Sequence, residues 1–277
     1  MPKKNPRIDI IFKKLFSQEE NKELLVSLIN SVVDEKSKIS DLILKNPYKE
    51  EDFLSNNLPQ IDVRGKSKVS EEWYNIELQI MRHENYDKRA LYHWAKIYDS
   101  QSTMDLDFES LEKTISINFL NFNVVPEKNY HNVYKLINKE TGKELNDQSE
   151  IHFIEFEKYD TNRNSITALD RWIYFMRDAA IMTALPVDLE NVPEIKNAFE
   201  LLESIEMSDL EKTYYDNRVK WFKNEESALK TAKKEAVFEE KRKTALILVK
   251  MGLSIFSIAE ATGPPDAEIE KLAKDNF

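Results

Sequence analysis

The chain has 277 residues, 41% of them apolar and 10% aromatic, enough for one sizeable core plus a smaller appendage and too apolar for a disordered chain. It contains no cysteine, which removes a disulfide framework and Cys-based zinc and makes a reducing cytoplasm the expected setting. The net charge of −10 argues against tight nonspecific binding to nucleic acid, although residues 220–250 carry nine Lys or Arg against five Glu.

Four glycines (Gly65, Gly142, Gly252, Gly263) are too few and too scattered for a phosphate-cradling loop or a dinucleotide fingerprint. His83, His93, His131 and His152 lack the close pairing of a His-based zinc motif, and there is no Ser nucleophile elbow. The basic start MPKKNPR is followed by no apolar targeting segment, and no apolar run reaches membrane-spanning length, so no membrane association is expected.

In chain order, Phe12, Leu15 and Phe16 form one helical stripe, and Leu24, Leu25, Leu28, Ile29 and Val32 form a second. Asp9, three residues before Phe12, reads either as a carboxylate serving the helix N-terminus or as an auxiliary acid near a metal. Residues 38–60, broken by prolines and polar residues, read as a short strand and a variable loop.

Residues 61–101 hold the most informative pattern. Ile61 and Val63 alternate with Asp62 and Arg64, while Tyr74, Ile76, Leu78 and Ile80 alternate with Trp73, Asn75, Glu77 and Gln79. If these strands pair as a hairpin across the polar stretch from Gly65 to Glu72, then Asp62, Glu77 and Gln79 share one sheet face. Two carboxylates converging from adjacent strands suit a hard divalent cation such as Mg²⁺, with room left for water and phosphate. The same spacing also fits an ordinary strand pair with its acids facing water.

A helix follows over 82–101, with Arg89 and His93 on one face and Ala90, Trp94, Ile97 and Tyr98 turned to the sheet. Arg89 reads equally as a phosphate ligand or as a surface ion-pair partner, whereas His93 reads as a cap on the core edge before a phosphate ligand. Residues 114–122, 131–138 and 150–159 read as strands, with a turn at Thr141-Gly142, and Glu155 and Glu157 read as solvent-facing or ion-paired carboxylates. Helices follow: one from Ser165 carrying Leu169, Trp172, Ile173, Phe175 and Met176, and another carrying Phe199, Leu202, Ile205 and Leu210. Residues 209–250 contain no Pro or Gly and read as one long or gently broken helix. Its Lys241-Arg242-Lys243 cluster reads as a solvated face before a DNA stripe. The last 27 residues read as two helices around Thr262-Gly263-Pro264-Pro265, resembling a helix-turn-helix, with Ile269 and Leu272 inward. Acidic Asp266, Glu268 and Glu270 suit packing or dimerisation better than a major groove.

Several blocks together resemble the recombination-promoting nuclease (Rpn)/transposase family, a branch of the PD-(D/E)xK restriction-endonuclease-like nucleases. They are Asp9-Ile-Ile-Phe12-Lys13-Lys-Leu-Phe16, Asn21 to Asn30, Ile61-Asp62-Val63 and Asn75-Ile-Glu77-Leu-Gln79. Arg89-Ala-Leu-Tyr92-His-Trp94 to Tyr98, Ile151 to Lys158 and the tail from Gly252 to Gly263 complete the set. The resemblance implies an α/β restriction-endonuclease-like mixed-sheet core flanked by helices (residues 1–208) with an all-helical C-terminal extension (209–277).

It further implies a metal-dependent DNA endonuclease in which Asp62, Glu77 and the main-chain carbonyl of Leu78 hold Mg²⁺, with Mn²⁺ or Ca²⁺ as alternatives, and Gln79 stands where most of the superfamily has Lys. Arg89 and Asp9 are auxiliary candidates, Lys66 and Lys68 are DNA-binding candidates, and the C-terminal helices are expected to form a homodimer. A catalytically weak DNA-binding relative and a regulatory helical protein are the competing readings. The Pro264-Pro265 pair departs from the family's usual tail.

Overall fold

The computed structural model of the protein describes residues 3–49, 62–102, 108–160, 166–263, 269 and 271. The expectations for residues 50–60 of the loop, Ile61, Ser165, Pro264-Pro265, Asp266, Glu268, Glu270 and Leu272 lie outside the described residues. Two compact units are formed, residues 1–218 and residues 219–277.

In the first unit, helices α1 (Asp9–Phe16) and α2 (Lys22–Val32) bury both expected stripes completely or nearly so. Six strands follow in one mixed sheet: β1 (Leu42–Leu44), β2 (Asp62–Ser67), β3 (Trp73–Gln79), β4 (Thr114–Leu120), β5 (His131–Tyr134) and β6 (Ser149–Glu155). Their spatial order is β1-β2-β3-β4-β6-β5. β1-β2 and β2-β3 are antiparallel, β3-β4 and β4-β6 are parallel, and β5 closes the far edge antiparallel to β6. The parallel pairs need crossovers, and helix α3 (Tyr86–Asp99) supplies the one between β3 and β4.

Strand alternation gives the sheet two different faces. One carries Val63, Ile76, Leu78, Ile117 and Phe119, all at most 1% exposed. The Tyr74 hydroxyl on this face donates to the Ser37 carbonyl (2.8 Å), just beyond α2. Behind it, α4 (Ala168–Asp178) joins α1 and α2 through the edge-to-face contact of Trp172 with Phe16 and the Trp172 indole bond to Ser27. The other face carries Asp62, Arg64, Asn75, Glu77, Gln79, Ser116 and Asn118. It does not face water: α3 lies over it, with Tyr86 and Ala90 packed against Leu120, Ile151 and Phe153.

Several boundaries differ from the sequence reading. Helix α3 starts at Tyr86, not at 82, because Asn85 adopts the left-handed conformation (φ 56°), which breaks a helix and which Asn tolerates. Strand β5 ends at Tyr134, leaving only an isolated bridge at Ile137, and β6 ends at Glu155 in a short 3₁₀ turn. Glu155 itself is fully buried, accepting the backbone N–H groups of Val124 and Val125 and pairing with Lys158. Leu210 does not continue the stripe of Phe199 and Leu202. The helix bearing those residues, α6 (Pro193–Ser204), is preceded by the single turn α5 (Val187–Glu190) and stops before Ile205, and Leu210 lies 58% exposed in α7 (Asp209–Lys250).

The first turns of α7 are tied to the start of the chain. Asp9, 1% exposed, accepts the Tyr214 hydroxyl (2.7 Å) and meets Arg218 Nε at 3.0 Å. Lys14 pairs with Glu211 at 2.8 Å, and the Asn5 amide donates to the Tyr215 hydroxyl. Arg218→Ala removes the counter-charge of a buried carboxylate that keeps only its hydrogen bonds, so a loss of about 3 kcal/mol is expected in urea unfolding. A change below about 0.5 kcal/mol contradicts this role for the pair.

A polar chain runs under the far edge of the sheet. Glu150 accepts from His152 Nε2 (2.7 Å) and lies 3.2 and 3.3 Å from Lys113 and Lys135, while His131 Nε2 sits 2.9 Å from His152 Nδ1. Burial beside His152 pushes His131 from 6.5 down to about 4. Burial alone raises Glu150, but His152 and Lys113 overcome it and hold the carboxyl at about 2. Both folded values lie below the unfolded ones, so both contributions are present at neutral pH and are lost on acidification. The His131 part disappears between 6.5 and about 4, and the Glu150 part between 4.5 and about 2. Urea midpoints should therefore fall from pH 7 to pH 4.5, by on the order of 2 kcal/mol from His131. His131→Gln should flatten that window, and an equally steep loss in the variant removes His131 as its cause.

Unit two contains the later part of α7 and the short helix α8 (Ile255–Thr262), which starts at a Ser254 cap and ends at left-handed Gly263 (φ 89°). Ala245, Ile258 and Ile269 form its small core, consistent with the inward placing of Ile269.

Candidate active site

Hairpin register decides which side chains meet. Asp62 and Glu77 are directly opposed on β2 and β3, which brings their Cβ atoms to about 5 Å on the same face. β1 pairs with β2 only from Gly65 to Ser67, so the Asp62 end of β2 lacks a strand on its outer side. The Asn46 side chain takes that place, donating to the Asp62 carbonyl (2.9 Å) and accepting from the Arg64 amide (2.6 Å). On the inner side, Glu77 pairs with Asn118 of β4, so Asp62, Glu77 and Asn118 form a row across three strands.

Each carboxylate is 5% exposed and each is held. Asp62 Oδ2 meets the Arg64 guanidinium at 2.6 Å. Glu77 Oε1 contacts His93 Nδ1 (2.5 Å) and accepts from Asn75 (3.0 Å), while Oε2 accepts from the Tyr86 hydroxyl (3.3 Å). Tyr86 also reaches Asn118 Oδ1 (3.1 Å), and Asn118 Nδ2 donates to the His152 carbonyl. The two acids titrate in opposite directions. Burial raises Asp62, with the Glu77 charge adding to it against the opposing charges of Arg64 and Lys13. Burial acts the same way on Glu77, but His93, Asn75 and Arg89 outweigh it and lower its value.

Gln79, 9% exposed, lies two residues beyond Glu77 on the same face, and its amide makes one long bond of 3.4 Å to the Met81 carbonyl. Arg89 sits one turn before His93, its guanidinium 6.0 Å from the Tyr86 ring centre and its charge acting on Glu77. The structure therefore brings Asp62, Glu77, Gln79 and Arg89 to one place. Lys66 lies four residues along β2 from Asp62, about 13 Å away, paired with Glu71, and Lys68 pairs with Asp41. Asp9 is engaged by Tyr214 and Arg218. The Leu78 carbonyl belongs to β3 beside Phe119 of β4.

A profile described as PD-(D/E)XK nuclease family transposase matches residues 6–232. The chain belongs to this family. No curated protein and no solved structure matches it. The six-stranded mixed sheet with helices on both faces is consistent with the PD-(D/E)XK fold, and membership supports a nuclease-like role. Among the described residues no helix is long and apolar enough to cross a membrane.

Around the Asp62–Glu77 pair, five residues escaped the sequence reading of the two acids. Arg64 was legible as a face-mate of Asp62, two residues away, and Asn75 as a face-mate of Glu77. Tyr86 and His93 are seven residues apart, two helical turns on one face of α3. That spacing marked a face aimed at the acids' side of the sheet but not Glu77 as its partner, because the partner depends on where α3 crosses the sheet. Lys13, 5% exposed on α1, gave no signal beyond its place beside Phe12 in the first helical block.

Proposed function

We propose that this chain is a metal-dependent DNA endonuclease that hydrolyses phosphodiester bonds, acting in recombination, mobile-element or phage-defence settings. The observation that carries this reading is the in-register opposition of Asp62 and Glu77, two buried carboxylates on one face. Their mutual repulsion, part of what raises Asp62, marks a place where positive charge is in demand. Asn75 Oδ1, buried without a hydrogen-bond partner among the described residues, adds an unused oxygen beside Glu77. This all-oxygen set fits a hard cation, Mg²⁺ first and Mn²⁺ or Ca²⁺ as alternatives. Among the described residues no cluster of three or more His, Asp or Glu is arranged for a metal, and in this reading the third donor is the Leu78 carbonyl that the family resemblance implies.

Bound there, a divalent cation supplies a water of lowered pKa and neutralises charge at the scissile phosphate. The chain's residues do the rest. Asp62 and Glu77 present their oxygens together, and His93, Asn75 and Tyr86 fix the Glu77 rotamer. Gln79 orients the attacking water by hydrogen bonding. The charge that a Lys at position 79 provides elsewhere in the superfamily comes here from Lys13, Arg64 and Arg89, whose fields reach the two acids.

Plasmid cleavage by purified protein with Mg²⁺, Mn²⁺, Ca²⁺ or EDTA tests the reading. Nicking or linearisation with at least one cation and none in EDTA is expected, and no cleavage with any cation rejects it. Assembly as a cytoplasmic homodimer through the C-terminal helices is part of the proposal, supported by exposed Ile247, Met251 and Phe256 in the second unit. Sizing chromatography of the full chain and of residues 1–218 should give a dimer and a monomer, and equal stoichiometry rejects this.

A further inference from the structure

The middle of α7 carries a feature that the acid pair does not use. From Leu229 to Lys241 every residue is exposed, so this stretch of helix stands in solvent on all sides. With Leu229, Val237 and Phe238 exposed and nothing among the described residues packed over them, this stretch gains little from burial and leaves its surface open to a partner. Lys230, Lys233, Lys234 and Lys241, with Val237 and Phe238 between them, line a shallow cavity of about 350 Å³. At 100° per residue, the six positions fall within less than half of the helix circumference. None of the four lysines forms an ion pair among the described residues, whereas the neighbouring Arg242 is paired with Glu239 at 3.0 Å. Glu235 and Glu239 project from the far side by the same helical geometry.

We propose that this lysine face is a DNA-docking surface that grips the sugar-phosphate backbone. Charge complementarity selects the occupant: four ammonium groups that form no ion pair among the described residues attract a polyanion, and their grouping on one helix face makes a local positive surface in a chain of net charge −10. Spacing supports it as well. Lys230, Lys234 and Lys241 are separated by four and seven residues, about 6 and 10 Å along the helix, so each reaches a different phosphate. Val237 and Phe238, 48% and 43% exposed, supply apolar contact to sugars between the phosphates. The inference rests on DNA as the substrate, but not on cleavage: the surface is sequence-independent and raises the time the chain spends on DNA.

The test is fluorescence anisotropy of the full chain with a labelled 30-base-pair duplex, in EDTA, from about 50 to 300 mM salt. The Lys230→Gln, Lys233→Gln, Lys234→Gln, Lys241→Gln variant should lose affinity by on the order of tenfold or more at the lowest salt. Its slope of log affinity against log salt should flatten by about three to four units, one per lost phosphate contact. A control removes the same charge from exposed positions elsewhere: Lys128, Lys139, Lys143 and Lys196, each to Gln. It should keep most of the wild-type slope. These exposed lysines hold no core, and circular dichroism checks that each variant keeps its helices.

Unchanged affinity and slope in the α7 variant overturn the proposal, as does an equal loss in the control. Binding to phosphatidylserine vesicles that depends on the four lysines, with DNA binding unaffected, overturns it in favour of a membrane surface. Failure of cleavage with every cation, alongside lysine-dependent DNA binding, counts against the nuclease reading and leaves the docking surface standing.

Discussion

Asp62→Ala is expected to abolish metal-dependent plasmid cleavage, Glu77→Ala to abolish it equally, and the double variant to be no worse than either. Groups that act on one reacting centre as a unit are non-additive, because removing one already removes the function of both. The physical basis is their register: directly opposed on neighbouring strands, both 5% exposed, they share one site and one demand for positive charge. The variants differ in stability. Asp62→Ala frees Arg64, which reaches solvent, whereas Glu77→Ala leaves His93, Asn75 and Tyr86 without their shared acceptor. That second loss costs about 1–3 kcal/mol, so Glu77→Gln, which keeps the shape and an acceptor oxygen, is the better test of chemistry. Residual cleavage above about a thousandth of wild type in Asp62→Ala or Glu77→Gln removes that residue from the centre.

Gln79→Ala is expected to lower the cleavage rate by roughly tenfold to a thousandfold, the loss usual for one oriented hydrogen-bonding group at a reacting centre. Gln79 is nine-tenths buried on the face of Glu77, and its 3.4 Å bond to Met81 leaves the amide free to turn to a water. Gln79→Lys should fold normally and leave cleavage intact or raise it, because an ammonium there faces two carboxylates and offsets charge developing on phosphorus oxygens. If Gln79→Ala cuts plasmid at the wild-type rate in single-turnover assays, the amide has no part in the reaction.

How much of this was legible in the sequence follows from the range of the interactions involved. The Asp62–Glu77 pairing could be read because strand alternation is local and the polar linker between Gly65 and Glu72 permits a hairpin. A mixed α/β core followed from strands alternating with helices, and the mixed sheet from the family resemblance. What could not be read was the order of β4, β6 and β5, since parallel neighbours are chosen by packing, not by the chain between them. That order places Asn118 beside Glu77, and the crossing of α3 places His93 on the same acid, so a residue read as an edge cap stands against the proposed ligand. The polar face of β3 read equally as wet, and only the position of α3 shows it covered. Helix α3 itself starts four residues late because a left-handed Asn has no periodic signature.

The bonds from Asp9 to Tyr214 and Arg218 have a further meaning for how the chain is made. The carboxylate on the first helix must wait for partners encoded about 200 residues later. At a synthesis rate of 5–20 residues per second that wait is roughly 10–40 s. The segment bearing both proposed acids and all six strands leaves the ribosome before this last clamp exists. A nascent chain arrested before Tyr214 clears the exit tunnel therefore holds a hairpin with Asp62 and Glu77 but an unlatched first helix. Protease sensitivity of α1 in chains arrested before and after that point reads out the delay.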